Sequence, residues 1–170
     1  MGSACAGELG PGTLAPAAPN RERHWRQLES SYGDSPIHQT FGLTLTVTGA
    51  GEVVIRAEAT KAAANKMGTV AGGLLAQMVD SAAVQAVRSS LGARDRAVTV
   101  ELNVNFLRPA RPGGPLRARG SLLDMSRTLA VATAEVRDAE DALVAVGRVT
   151  VRLLRSAGPE STEAATPGSG

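Results

Sequence analysis

The sequence predicts an α+β domain in which an antiparallel sheet packs on one long helix, and three observations carry that prediction. Residues 70–87 lack proline and hold only four polar positions, Gln77, Asp80, Ser81 and Gln85, which is the pattern of a helix covered on nearly all sides. Segments on both sides of it alternate apolar and polar residues with the period of strands. The resulting order is helix, two strands, one long helix, then four strands, unlike the strict alternation of a parallel doubly wound sheet.

Taken in order, residues 21–32 are charged, with Trp25, Leu28 and Tyr32 at i, i+3 and i+7, the spacing of a short helix with one apolar stripe. Gly33 and Pro36 stop it. Residues 40–48 alternate apolar side chains with threonine, Gly49-Ala50-Gly51 turns the chain, and residues 52–60 return as the second arm of a hairpin. A connection over residues 61–67 leads to the long helix, whose start is flanked by Gly68, Gly72 and Gly73 and whose end falls at Leu91-Gly92, where glycine accepts C-cap geometry.

Residues 97–107 form the cleanest strand, with Val98, Val100, Leu102, Val104 and Phe106 expected on one face and Thr99, Glu101, Asn103 and Asn105 on the other. Turn chemistry over residues 108–114 ends it, and strands at 116–125, 128–137 and 143–154 complete the sheet. One domain is therefore expected at 21–154. Residues 1–20 and 155–170, dominated by small and polar residues, bury too little apolar surface to offset their ordering entropy and are expected to be a disordered leader and tail.

Composition excludes several classes of function. A formal charge of +2, arginines scattered among acids and an aromatic content of 2% argue against nucleic acid. Cys5 is the single cysteine, so neither a disulfide framework nor a cysteine metal site can form within the chain, which fits a reducing cytoplasm. The first twenty residues lack the pattern of a secretory signal. The long helix has the length of a short membrane span, but its four polar side chains would face hydrocarbon, so no membrane is expected.

Asp80 is the residue that needs explaining. It suits two roles: a buried carboxylate paired with arginine or backbone donors, or a general base or nucleophile made more basic by apolar surroundings. Gly72 and Gly73 similarly suit close packing of helix against strand, or an approach by which free N–H groups at the helix start meet an oxygen that becomes negative. Eight residues separate Gly72 from Asp80, about 12 Å along a helix axis, too far for both to act on one carbonyl. If both act, two copies of the helix must run antiparallel in a two-fold dimer, with Gly72 of one facing Asp80 of the other.

The spacing of Asn65, Gly68, Gly72-Gly73 and Asp80, followed by the strands V-T-V-E-L-N-V-N-F-L-R-P-A and R-T-L-A-V-A-T-A-E-V-R-D, resembles the hotdog-fold acyl-CoA thioesterases of the phenylacetate-degradation type over residues 41–154. The resemblance implies a sheet wrapped around the long helix, a homodimer or dimer of dimers, and hydrolysis of a CoA thioester without metal or other cofactor. Carried over by position, Asp80 activates water or attacks, the Gly72 N–H polarises the carbonyl, Asn65 positions the reacting group and Thr99 stands beside the attacking water. Gly73, Arg108, Arg127 and Thr128 are the implied substrate-binding residues, with Arg111 a further cation at a strand end.

One position departs from the pattern. The histidine that precedes the glycine pair in the family is Ala71 here, which can neither orient nor protonate a leaving thiolate. A non-catalytic hotdog protein that binds acyl-CoA or serves as an assembly module is therefore the alternative. His24 is expected to be a solvated helix residue and His38 a loop residue at a strand start, and the acyl pocket is expected to be lined by Ala83, Val84 and Val87.

Overall fold

The computed structural model describes residues 19–156. The leader and tail expected at the two ends lie, apart from residues 19–20 and 155–156, outside the described residues. The elements are α1 (Pro19–Tyr32), α2 (Pro36–Thr40), β1 (Thr44–Gly49), β2 (Glu52–Glu58), a single 3-10 turn (Lys61–Ala63), α3 (Gly72–Ser89), β3 (Arg96–Phe106), β4 (Pro115–Met125), β5 (Leu129–Arg137) and β6 (Leu143–Leu154). All six strands pair antiparallel in one sheet, in the order β1-β2-β4-β5-β6-β3. This is the α+β arrangement the sequence predicts, with α2 added where residues 36–40 were expected to be turn and strand start.

The sheet holds α3 against its inner face, and small residues set how closely. Ala118 and Gly120 on β4, Ala132 and Ala134 on β5, and Ala145 and Gly147 on β6 are buried there, opposite Met78, Val79, Ala82 and Ala86 of α3. A Cβ added at Gly120 would land on the carbonyl of Ala82, and one at Gly147 would lie 2.5 Å from the Asn103 carbonyl oxygen and 2.6 Å from Val79. Both positions thus require glycine for space. Ala83 and Val87, expected to line a pocket, are fully buried in this core, and Val84 packs partly buried against it.

β3 has a neighbour on one side only, and it departs from simple alternation. Its pairing with β6 shifts between Thr99 and Glu101, so Val100 is an extra residue bulged out of the ladder. Ala97 and Thr99 lie opposite Leu153 and Val151, which are buried beneath α3; after the bulge Leu102, Val104 and Phe106 lie opposite Val149, Gly147 and Ala145 of the same face. The bulge therefore reverses the phase of the strand. Contrary to expectation, Thr99 shares the helix-facing side with Leu102, Val104 and Phe106, whereas Glu101, Asn103 and Asn105 face away.

Helix α1 docks antiparallel to α3 and covers its C-terminal end. The Trp25 indole donates to the Ser89 carbonyl at 2.8 Å, satisfying an acceptor the helix leaves free at its end, and His24 Nε2 donates at 3.1 Å to the Arg88 carbonyl, which also accepts from the Leu91 N–H. His24 is thus buried, not solvated as expected. His38 lies in α2, stacks on the Tyr32 ring at 4.0 Å between centroids, and donates from Nδ1 to the Tyr32 carbonyl at 2.6 Å. Asp95 accepts from the backbone N–H of Ser156 and from Arg155, which anchors the chain just beyond β6.

A Gly120→Ala variant should lose more than about 2 kcal/mol of stability, because the new methyl meets backbone rather than a side chain that can turn aside. Denaturant unfolding of the two proteins measures it, and an unchanged midpoint would contradict the close approach of α3.

Candidate active site

The sequence-derived site residues fall into two groups in the chain. The first gathers at the start of α3. The Asn65 side chain organises the loop before it: Oδ1 accepts from the N–H of Met67 at 2.9 Å and of Thr69 at 3.3 Å, while Nδ2 donates to Thr69 Oγ1 at 2.9 Å. Gly68 closes this loop at φ +76°, a conformation that favours glycine. Ala71 is the N-cap of α3 and supplies no side-chain cap. The N–H groups of Gly72 and Gly73 consequently donate to no other group among the described residues, as first-turn donors commonly do.

Gly72 is also packed closely. A Cβ there would lie 3.3 Å from the Phe106 ring, whereas Gly73 has open space around it. The close packing foreseen for the glycine pair is thus present at Gly72, against Phe106, and not at Gly73. Asn65, Thr69, Val70, Gly72, Phe106 and Arg108 line a cleft of about 300 Å³. Arg108 is exposed at its mouth and donates to the Leu143 carbonyl at 3.0 Å.

The second group lies two turns along α3. Asp80 is half-buried, and Thr99 Oγ1 donates to its Oδ1 at 2.8 Å, a contact made possible by the side of β3 on which Thr99 sits. Among the described residues no arginine or lysine pairs with Asp80, so the ion-pair role foreseen for it has no counterpart there. Arg127 and Thr128 occupy the β4–β5 turn; Leu129 next to them pairs with Arg152, which in turn pairs with Val98 beside Thr99. Arg111 is exposed in the turn before β4.

The two groups are not brought together within one chain. Thr99 and Phe106 are seven residues apart on β3, roughly 20 Å at strand rise, and Gly72 and Asp80 keep the separation of about 12 Å that the helix dictates.

The sequence pattern missed Tyr32. It was visible only as the third member of an apolar stripe, yet its hydroxyl is buried near Ser81 and within electrostatic range of Asp80. Burial pushes the Tyr32 phenol up to about 12, and the Asp80 charge adds to the shift. The Ser81 hydroxyl is near enough to ease it but is not placed as a hydrogen-bond partner, and instead accepts from Gln77 Nε2 at 2.8 Å. Among the described residues no helix is long and apolar enough to cross a membrane, and no three metal-ligating side chains gather.

A curled antiparallel sheet around one covered helix, with a carboxylate on that helix and free N–H groups at its start, defines a hotdog-fold protein. The model of the thioesterase superfamily matches residues 67–145. A single-substitution variant of the phenylacetic acid degradation protein PaaI from Thermus thermophilus is 30% identical, covers 69% of this chain and 98% of its own, and superposes with a TM-score of 0.62. The chain belongs to the thioesterase superfamily. A Halobacterium salinarum protein that bears a provisional esterase name is 42% identical over 52% of this chain, and acyl-coenzyme A thioesterase 13 of Mus musculus is 34% identical over 52%. The matched segments span 62% and 64% of those two relatives' lengths.

The chain's one tyrosine makes its environment directly measurable. The phenolate absorbance near 295 nm should appear only around pH 12 in the folded protein, against about pH 10 in denaturant. Since the folded state holds this proton more tightly, the associated stability is complete below about pH 10 and is lost as pH rises toward 12.

Proposed function

We propose that the protein hydrolyses acyl-CoA thioesters to the free acid and CoA, with each active site shared between two copies of the chain. The observation that carries this is the separation of a carboxylate held by Thr99 from free N–H groups eight residues earlier on the same helix. Two antiparallel copies of α3 bring Gly72 of one subunit to Asp80 of the other, and do so twice. β3 favours such pairing: it is an unpaired edge on which Val98, Val100, Leu102 and Phe106 are each at least 40% exposed. An apolar edge of this kind calls for a covering strand.

In the composite site the thioester carbonyl oxygen lies on the Gly72 N–H, with Gly73 leaving room for it. Asp80 takes a proton from water, the hydroxide adds to the carbonyl carbon, and the oxyanion is stabilised by the N–H dipole and the helix start. Collapse breaks the C–S bond, and the thiolate leaves with its pair and is protonated from solvent or Asp80. Direct attack by Asp80 through a mixed anhydride, later split by water, uses the same geometry. Thr99 fixes the carboxylate in either case.

Asn65 acts by shaping the loop that delivers Gly72, and Arg108 offers a cation to the CoA phosphates at the cleft mouth. Arg127 and Thr128 reach the pantetheine arm from the Asp80 side. Base and oxyanion donor are both protein groups, so the reaction needs neither metal nor redox cofactor. The thiol of CoA is a good leaving group, which is why Ala71 in place of histidine slows the departure step without removing it.

The test is thiol release from a panel of acyl-CoAs. Asp80→Asn should lower kcat by about 10²- to 10⁴-fold while the fold and assembly persist. In a single turnover in ¹⁸O-water, label in Asp80 itself identifies direct attack; label only in the product acid is common to activated water and to an anhydride split at its acyl carbon, and chemical trapping of an acyl-enzyme separates those two. A folded wild type that binds acyl-CoA by calorimetry but never turns it over would instead establish a binding or assembly module, the role that Ala71 favours. Light scattering should give at least twice 17.4 kDa.

A further inference from the structure

The Asp80 carboxylate accepts one side-chain hydrogen bond among the described residues, from Thr99 on β3. Helix α1 approaches α3 from another direction, and its register is fixed by the pairing of His24 with the Arg88 carbonyl. Eight residues along α1 from His24 is Tyr32; eight residues back along α3 from Arg88 is Asp80. The two helices are antiparallel and rise equally per residue, so Tyr32 arrives at the level of Asp80 and Ser81.

Tyr32 is 4% exposed, and its Oη is the one buried side-chain polar atom among the described residues without a hydrogen-bond partner. The ring around it is tightly held. His38 stacks on one face, and the Nδ1 bond to the Tyr32 carbonyl fixes the backbone. A buried hydroxyl left unpaired is costly and calls for an explanation in function, strain or an ordered water. The phenol keeps its proton at neutral pH, with the Ser81 hydroxyl near it and the Asp80 charge within electrostatic range.

We propose that Tyr32 is a positioning residue of the shared site, its hydroxyl held in reserve to hydrogen-bond the Asp80 carboxylate when that group turns from Thr99 toward water or thioester. The inference rests on the hydrolytic role of Asp80 proposed above. Turning toward substrate costs Asp80 the Thr99 bond, and a second donor on the α1 side keeps the carboxylate charged and aimed. The orphan hydroxyl of the resting protein is then satisfied in the reacting one. In this role Tyr32 acts through Asp80 and not on the substrate.

Tyr32→Phe in the full chain removes only the hydroxyl and keeps the ring, its stacking on His38 and the bond to its carbonyl. With the acyl-CoA that wild type hydrolyses fastest, kcat should fall about tenfold while KM stays within about twofold. Tm should rise, since an unpaired buried group has gone. Unchanged kcat beside an active wild type would overturn the inference and leave the hydrolytic reading intact. A fall in Tm would also overturn it, because the hydroxyl would then be a structural partner of Ser81. A wild type inactive on every thioester would overturn the role of Asp80 and this inference with it.

Discussion

A carboxylate in the middle of a covered helix is the constraint to which the surrounding structure answers. Asp80 sits on a helix that the sheet and α1 enclose on most sides, and no cation among the described residues neutralises it. What reaches it is a hydroxyl from β3. That contact depends on one bulged residue, because without Val100 the strand would turn either Thr99 or the apolar residues Leu102, Val104 and Phe106 away from the helix. Backbone irregularity here serves to combine a polar contact at one end of a strand with an apolar surface at the other.

The fold was largely legible because each level of the sequence agrees with the next. The covered helix, the alternating strands and the turn residues all point to one architecture, and the strands fall within a few residues of where the pattern puts them. The site was legible where spacing on a single element decides geometry. Gly72 and Asp80 lie on the same rigid helix, so their separation could be stated before any coordinates.

Features that depend on tertiary docking were not legible. The bulge at Val100 leaves no mark on a strand whose residues alternate perfectly, so the face shared by Asn103 and Asn105 was assigned to Thr99 as well. His24 looked solvated because nothing local says that a charged, short helix will cap the end of another helix 64 residues away. Ala83 and Val87 suggested a pocket through their size, whereas that size lets the helix settle directly onto the sheet. Tyr32 was hidden for the converse reason: in an apolar stripe its ring explains its burial, and only the surroundings of its hydroxyl distinguish it from phenylalanine.

Helix α1 carries a further consequence. The chain has one tryptophan and one tyrosine, and both lie on α1 with their polar atoms directed at α3. The intrinsic ultraviolet signal of the protein is therefore a local one, arising from the seam between these two helices and scarcely at all from the sheet. Emission and near-ultraviolet dichroism will follow detachment of α1 even while the six strands remain paired. Optical melting and backbone melting need not coincide, and any gap between them would measure how independently this helix leaves the domain.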